Sequence, residues 1–572
     1  MTTTSSRPAW RWRLAEPPPG TLLEGLRDLH PVLVAALFQR GLRDPAAARA
    51  FLAHDAGSAD PHALAGVPEA VERLAVAVRR GEPVVVYGDF DADGVTATAV
   101  LLETLHGLGA TVSSFIPHRH RDGYGLHAEA LLRLARQGAR VVVTVDCGIR
   151  GAEAVARAAA EGLDVIVTDH HALSATLPGA VAVINPRRPD CGYGFEELAG
   201  VGLAFKLAQA MLRDLRPSGP ADRRAPEEHE LTDLVALGTV ADVVPLHGEN
   251  RALVQRGLTR LRTGARLGVR ALAEVAGIDL KHLSARDIAF GLAPRLNAAG
   301  RMDSAQPALD LLLATDKTKA YRLARLLDSA NDDRRAATET AVAAAEAALA
   351  GRTTEPFLFH VDPNVELGVT GLVAGRLAGR HYRPAAVLRL DGDTARGSAR
   401  SIPDYDVLQG LDAVAHLLVR HGGHARAAGF TVSAGQLDLV RRLLVEHAAR
   451  ALRDVDLRPT LGLTAEVGPG DLDARLYEAL AELEPFGEAN PRPLLAVRGA
   501  RVAGAKVVGR GHLRLSIGNT PQGAMDAIAF GMADRLPDLG REVDLAASLR
   551  VNTWSGASRL ELRVEDLATA GA

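Results

Sequence analysis

The chain has 572 residues, too many for one hydrophobic core, so two to four domains are expected. With 47% hydrophobic and 24% charged residues it has a globular composition, and no run approaches about eighteen uncharged apolar residues, which excludes a membrane-spanning helix. The formal net charge of −3 carries no global basic signature, so a nucleic-acid partner requires positive charge concentrated locally. Cys147 and Cys191 are too few for a disulfide framework or a zinc cluster and read as buried bystanders. Residues Met1–Pro8 are polar and lack an apolar signal stretch, so a cytoplasmic protein is expected.

In chain order, residues 1–81 read as an N-terminal arm with short amphipathic helical pieces such as Leu22–Gln39, anchored by Trp10 and Trp12. Alternation then begins. Apolar strands at Pro83–Tyr87, Thr111–Ile116, Arg140–Val145 and Asp164–Thr168 are separated by helical patterns such as Ala97–His106 and Ala128–Gln137. Such alternation predicts an α/β fold with a parallel sheet, here a catalytic domain over 82–305 that adds helices at Leu231–Val240 and Arg251–Leu261. Residues 306–352 read as an almost uninterrupted connecting helix. A second α/β domain over 353–455 has strands at Phe357–Val361 and Ala385–Leu390. From 456 to 572 the texture changes to short β segments, at Leu494–Ala500, His512–Ile517, Ala527–Gly531, Val543–Arg550 and Leu560–Val564, which predict a small OB-like barrel.

The strongest chemical signal is Gly88-Asp89-Phe90-Asp91-Ala92-Asp93-Gly94, directly after the strand Val84–Tyr87. Three carboxylates at alternate positions repel one another unless a cation neutralises them, and the carboxyl end of a parallel strand is where open α/β sheets bind ligands. An acidic solvated turn is the bland alternative. The pattern recurs, however. Val141–Val145 delivers Asp146, Val165–Thr168 delivers Asp169-His170-His171, and the apolar stretch Leu234–Val240 delivers Asp242. A cap or turn explains one such residue but not four. Asp with His suits manganese or magnesium rather than calcium, and the scarcity of Cys disfavours structural zinc. The carboxylates suffice for two ions about 3.5–4 Å apart with one bridging Asp.

Asp169-His170-His171 together with Asp89 and Asp91 resembles the DHH phosphoesterase superfamily. The resemblance implies that Asp89 and Asp91 each hold one metal ion, that Asp146 bridges, and that His170 and Asp242 complete the site. It places Asp93 behind the ligands or against substrate, and His171 beside the scissile phosphate. Further stretches are similar to the RecJ exonuclease family in particular: Pro117-His118-Arg119 leading to Gly123-Tyr124-Gly125-Leu126, Gly200-Val201-Gly202, and Pro294-Arg295-Leu296-Asn297 through Arg301. Gly397-Ser398-Ala399-Arg400-Ser401 and Gly422-Gly423-His424 resemble the DHH-associated domain, and Leu483-Glu484-Pro485-Phe486-Gly487 the entrance to that family's OB domain. Two stretches depart from the pattern. Val365-Glu366-Leu367-Gly368-Val369 lacks an aromatic residue and a histidine that the family carries, and Ala489 stands where Gly is usual.

What the resemblance implies is hydrolysis of single-stranded DNA from the 5′ end, releasing mononucleotides, in DNA repair and recombination. Two divalent ions are implied, manganese preferred and magnesium weaker. Single-stranded DNA is the partner, with a single-strand binding protein and a helicase as accessory partners, and the chain is expected to be a monomer. Catalytic roles fall to His171, Asp93, Arg295 and Asn297, and substrate binding to Arg119, Tyr124, Ser398, Arg400, Gly422, Gly423 and His424. The residue types fit phosphate: Gly-rich turns admit backbone amides close to an anion, and Arg offers bidentate contact. Ser398 and Arg400, two apart in an extended segment, face the same side and converge with Arg119 on a terminal 5′-phosphate. His424 reads equally as a buried, hydrogen-bonded histidine, and Arg295 and Arg301 as cleft residues or as packing around a Pro-bent turn. A small-substrate DHH phosphatase would leave the N-terminal residues and the OB module unexplained. A non-catalytic scaffold is at odds with the intact acidic set.

Overall fold

The computed structural model describes residues 10–53, 59–118, 122–123, 125–216, 225–509, 511–552 and 559–570. They divide into two compact units, one of Met1–Leu14 with Asp332–Leu463 and the other of Ala15–Asn331 with Thr464–Ala572. The first strand, β1 (Arg11–Leu14), belongs to the former.

In the larger unit β2 (Val84–Tyr87), β3 (Val112–Phe115), β4 (Val141–Val145), β5 (Asp164–Thr168) and β6 (Ala182–Ile184) form a wholly parallel sheet ordered β3-β2-β4-β5-β6. Successive side chains alternate between two cores. Val84, Val86, Val141, Val143 and Ile166 face the helices Val67–Arg80, Ala92–Gly107 and Gly200–Leu215, whereas Val85, Tyr87, Val142 and Val165 face Ala128–Arg136 and Ala152–Ala160. Both faces being covered, the strands are apolar along their length. The helix expected from Ala97 begins instead at Ala92, because the Asp91 carboxylate caps it, accepting from the amides of Asp93 and Gly94 at 3.1 Å each. The chain steps from β2 outward to β3 and returns to β4 on the other side of β2. That reversal opens a crevice at the carboxyl ends of β2 and β4.

The smaller unit builds a mixed sheet from β7 (Leu358–Asp362), β8 (Ala385–Asp391), β9 (Thr394–Arg400), β10 (Leu418–His424) and β11 (Ala427–Ser433), ordered β10-β11-β9-β8-β7 with only β7 and β8 parallel. Phe359, Leu388 and Phe430 pack on the helix Leu437–Ala451, and Leu358, Ala385 and Val387 on the helix Thr370–His381. A further strand, β12 (Thr460–Leu463), pairs in parallel with β1, Trp12 lying half-buried opposite Leu461.

The connecting helix expected over 306–352 is two helices, Gln306–Leu312 and Lys317–Ala348. They are separated at Asp316, whose carboxylate accepts from the Lys319 amide at 2.7 Å. At the C-terminus β13 (Ala465–Val467), β14 (Leu495–Val508), β15 (His512–Thr520), β16 (Gly523–Ala529), β17 (Glu542–Asn552) and β18 (Arg559–Thr569) run in the order β13-β14-β15-β16-β18-β17. β17 pairs back on β14, closing the barrel that the short apolar segments predict.

The described residues of 1–81, read above as one arm, are distributed over three places. β1 joins β12; the helices Gly20–Gly25, Pro31–Gln39 and Pro45–Leu52 share the barrel's core through Leu26, Leu33, Leu37 and Ala48; Val67–Arg80 packs on the parallel sheet. The expected Leu22–Gln39 helix is broken before Pro31, which lacks an N–H and opens the second helix at its first turn. Among the described residues no helix is long and apolar enough to cross a membrane.

Candidate metal centre

β2, β4 and β5 are neighbours in the sheet, so the residues that follow their carboxyl ends converge. Asp89, Asp146 and Asp169 are all buried there. Asp146 takes a left-handed backbone, φ 61°, rare for a residue with a Cβ and characteristic of strained functional positions. It is packed against Gly200, where an added Cβ would lie 2.7 Å from the Asp146 Cβ and 2.9 Å from its Oδ1. Hydroxyl groups fix the strand ends: Thr144 Oγ1 donates to the Cys147 carbonyl at 2.7 Å, and Thr168 Oγ1 to that of Thr144 at 2.8 Å.

The expected ligands come together. Asp89, Asp91 and Asp146 each present an oxygen within 4.8 Å of the others; so do the ligand atoms of Asp93, His170 and Asp242, and those of Asp146, His170 and His171. His170 Nε2 lies 3.1 Å from Asp146 Oδ1 and 3.5 Å from Asp242 Oδ2. Both His170 Nε2 and Asp146 Oδ1 are buried and make no hydrogen bond. Leaving two such atoms unsatisfied costs roughly 1–3 kcal/mol each, a penalty that a cation held by both removes. Burial, and then the charges of Asp93, Asp91, Asp242 and Asp89, raise the Asp146 carboxyl well above its ordinary range. Asp242 is raised likewise. Burial, followed by the neighbouring His171, pushes His170 down to about 3, so its imidazole is neutral with a lone pair to give. The residues present thus fit divalent cations bound through oxygen and one nitrogen.

The surrounding contacts separate ligands from supports. Asp93, expected to be catalytic, has both oxygens engaged: Oδ2 accepts from the Gly200 amide at 2.7 Å and Oδ1 from Val201 at 2.9 Å. It therefore holds the start of the helix that packs on Asp146, a positioning role, while burial beside Asp91 lifts it to about 7. Asn297 is also a support here, its Oδ1 accepting from the Ala92 amide of the acidic loop at 2.7 Å. Arg295 does not reach into the centre as a free cation. Its Nε donates to Asp328 at 2.8 Å and its Nη1 to the Gly291 carbonyl at 2.8 Å, which ties its helix to the long helix Lys317–Ala348.

Sequence reasoning passed over Asp169 as more than part of a motif. Its Oδ1 lies 2.7 Å from His171 Nδ1 and accepts from the His171 amide at 3.0 Å, while Oδ2 accepts from Ile149 at 2.9 Å. Burial opposes an imidazolium at His171, but the Asp169 hydrogen bond and charge outweigh it and raise the ring's pKa. Asn185 and Arg187, just after β6, were also missed. Asn185 Nδ2 donates to the His171 carbonyl at 3.0 Å, and Arg187 Nε to that of His170 at 3.1 Å. Asn185 stands where a fifth apolar run, Ala180–Ile184, ends, which was the available signal.

In the smaller unit, Ser398 and Arg400 are half-buried on one side of β9 while Gly397 and Ala399 are buried on the other, as the two-residue spacing predicts. Ser398 Oγ lies 3.2 Å from Thr370 Oγ1, and Arg400 lies over the first turn of the helix Thr370–His381, so close that a Cβ on Gly371 would come within 2.6 Å of its Nη2. Gly422 and Gly423 do not form the expected anion-binding turn. They lie in the edge hairpin of β10 and β11, opposite Gly429 and Ala428. His424 is exposed at the end of that hairpin, which removes the buried-histidine reading. Arg119 and Tyr124 lie outside the described residues.

A parallel sheet with Asp and His residues gathered at its carboxyl ends, followed by a second α/β unit, is the architecture of a DHH phosphoesterase. Residues 83–239 match the N-terminal domain of the DHH family, 354–450 the DHHA1 domain, and 463–566 the RecJ OB domain. The chain belongs to the RecJ family. It is 38% identical to the single-stranded-DNA-specific exonuclease RecJ of Dickeya dadantii, over 95% of this chain and 97% of that one. Its identity to the RecJ of Bacillus subtilis is 35%, over 98% of this chain and 71% of the relative. The crystal structure of Thermus thermophilus RecJ in complex with Mn2+ superimposes with a TM-score of 0.83 at 32% identity, covering 98% of this chain and 80% of that one.

Proposed function

We propose that this chain hydrolyses single-stranded DNA from the 5′ end and releases mononucleotides, in DNA repair and recombination. Two divalent ions serve it, manganese in preference to magnesium because a histidine ligand suits the softer ion. Asp89 and Asp91 would each hold one, Asp146 would serve both, and His170 and Asp242 would complete the set. The observation that carries this reading is the buried, facing pair of Asp146 Oδ1 and His170 Nε2, 3.1 Å apart with no hydrogen bond to either. When bound, the ions supply Lewis acidity to the phosphoryl oxygens and lower the pKa of the attacking water.

The chain's own residues do the rest. Asp169 engages His171 Nδ1, and the ring, when protonated, donates through Nε2 to a phosphoryl or leaving oxygen. Attack breaks the bond between phosphorus and the 3′ oxygen of the first nucleotide. The remaining strand then carries a new 5′-phosphate, so each cut regenerates the end that the enzyme reads. Ser398 and Arg400 recognise that phosphate by its extra charge and oxygen. On the barrel, exposed Phe530 beside Arg550 and Arg563, whose guanidinium carbons lie 6.0 and 5.6 Å from the ring centre, offers a stacking step for bases further along the strand. A helicase and a single-strand binding protein are the partners that such a substrate calls for.

The test is digestion of end-labelled DNA carrying a 5′-phosphate or a 5′-hydroxyl, with manganese, magnesium or chelator. Mononucleotides should appear only with metal and first from the labelled 5′ end. Arg400→Ala should abolish the preference for the 5′-phosphate; an equal loss on both ends removes the proposed pocket.

A further inference from the structure

Arg187 and Arg188 stand side by side in the turn after β6, and their guanidinium groups have opposite fates. That of Arg188 is consumed locally: Nε and Nη2 donate to the two oxygens of Asp190 at 2.9 and 2.5 Å, and Nη1 donates to the Val183 carbonyl. Arg187 is exposed, and among the described residues no carboxylate pairs with it. Its guanidinium donates from Nε to the His170 carbonyl at 3.1 Å, which pins the stem of the side chain to the backbone of a metal-centre residue. Asn185 stiffens the turn from both sides, its Oδ1 accepting from the Arg187 amide at 2.9 Å while its Nδ2 holds the His171 carbonyl at 3.0 Å.

We propose that Arg187 is a phosphate-binding residue of the metal centre, its two terminal nitrogens taking a non-bridging oxygen of the DNA at or next to the scissile linkage. This rests on the function proposed above. The argument is one of charge and of preorganisation. Asp89, Asp91, Asp146 and Asp242 crowd the centre, so an incoming phosphodiester meets a strongly anionic rim wherever metal does not face it. A guanidinium held by its Nε keeps a planar pair of N–H donors, the geometry that matches a phosphate edge, and loses little side-chain entropy on binding. A strut alone would not require charge, since the bond to His170 needs only one N–H donor.

Arg187→Gln separates the two roles, since it keeps an N–H donor of similar reach and removes the charge; Arg187→Ala removes both. The assay is kcat/KM on a 5′-phosphorylated oligonucleotide across a KCl series, with manganese-induced thermal stabilisation measured in parallel. For Arg187→Gln we expect a loss on the order of tenfold at low salt. The slope of log kcat/KM against log salt should become shallower by about 0.7, the value of one single-strand phosphate contact. Manganese stabilisation should stay as in the parent. A parental rate and slope in Arg187→Gln, with loss only in Arg187→Ala, would make Arg187 a strut and overturn the inference. So would a loss of manganese stabilisation that accounts for the lower rate. A parent protein inert on single-stranded DNA overturns the proposed function and this inference with it.

Discussion

A single methyl group added at Gly200 should disable the metal centre without altering any ligand. In Gly200→Ala the new Cβ would lie 2.7 Å from the Asp146 Cβ and 2.9 Å from both Cγ and Oδ1, where ordinary contact begins near 3.4 Å. Asp146 must therefore retreat by about 0.7 Å, several times the roughly 0.2 Å that metal–ligand distances tolerate. It has little freedom to do so and keep its aim, since it already sits at φ 61° on a strand end. Moving the helix instead would strain the two hydrogen bonds that the Gly200 and Val201 amides donate to Asp93. We expect the manganese concentration that half-saturates activity to rise about 10–100-fold, the size of effect seen when support around a metal ligand is lost. Overpacking should cost about 1–3 kcal/mol of stability in chelator, leaving the fold intact by circular dichroism. The assay is a manganese titration of exonuclease rate, paired with thermal unfolding with and without the ion. A half-saturating concentration within twofold of the parent would refute the reasoning, because Asp146 would then have no fixed place to lose.

Other outcomes follow from the same geometry. His171→Ala should retain manganese-induced stabilisation yet lose about 2–4 kcal/mol of transition-state stabilisation, read as kcat; loss of metal instead would make His171 a ligand. In metal-free protein His170, held near 3, refuses a proton that the unfolded chain's imidazole takes up near 6.5. The unfolded state then binds more protons, so this contribution to stability is present above about 6.5 and lost as pH falls toward 3. Thermal unfolding in chelator from pH 7.5 to 5 should fall less steeply in His170→Asn than in the parent, and parallel curves would argue against it. Phe530→Ala should weaken binding of long single strands by about 1–3 kcal/mol and leave cleavage of the shortest ones unchanged, as filter binding and rates on a length series will reveal.

The sheet was legible because its physics is local. Val84–Tyr87, Val141–Val145 and Asp164–Thr168 announce buried parallel strands by composition, and the Asp and His residues after them mark the ends. What stayed hidden depends on contacts between distant segments. Nothing in the spacing of Asn297 and Ala92, 205 residues apart, says that one side chain holds the other's amide. Arg295 has the chemistry of a phosphate ligand, and only the fold reveals that Asp328 already claims it. Gly422-Gly423 misleads in the opposite sense. A double glycine reads as a turn, yet at Gly423 a Cβ would come within 2.4 Å of the Ala427 carbonyl, so close strand pairing suffices to require glycine there.

The ladder between β1 and β12 bears on how the chain is made. Arg11 leaves the ribosome 449 residues ahead of its partner Thr460, roughly 20–90 s at the usual pace of synthesis. The helices from Gly20 to Leu52 wait longer still, because the barrel strands that bury Leu26, Leu33 and Leu37 come last. Through that interval the helices from Gly20 to Leu52 carry apolar surface with no mate, and they are the stretch on which a chaperone would be expected to dwell. A ribosome that stalls before the barrel is complete would release a chain whose parallel sheet has all its strands while these helices remain uncovered, a product marked for proteolysis by their exposed apolar faces.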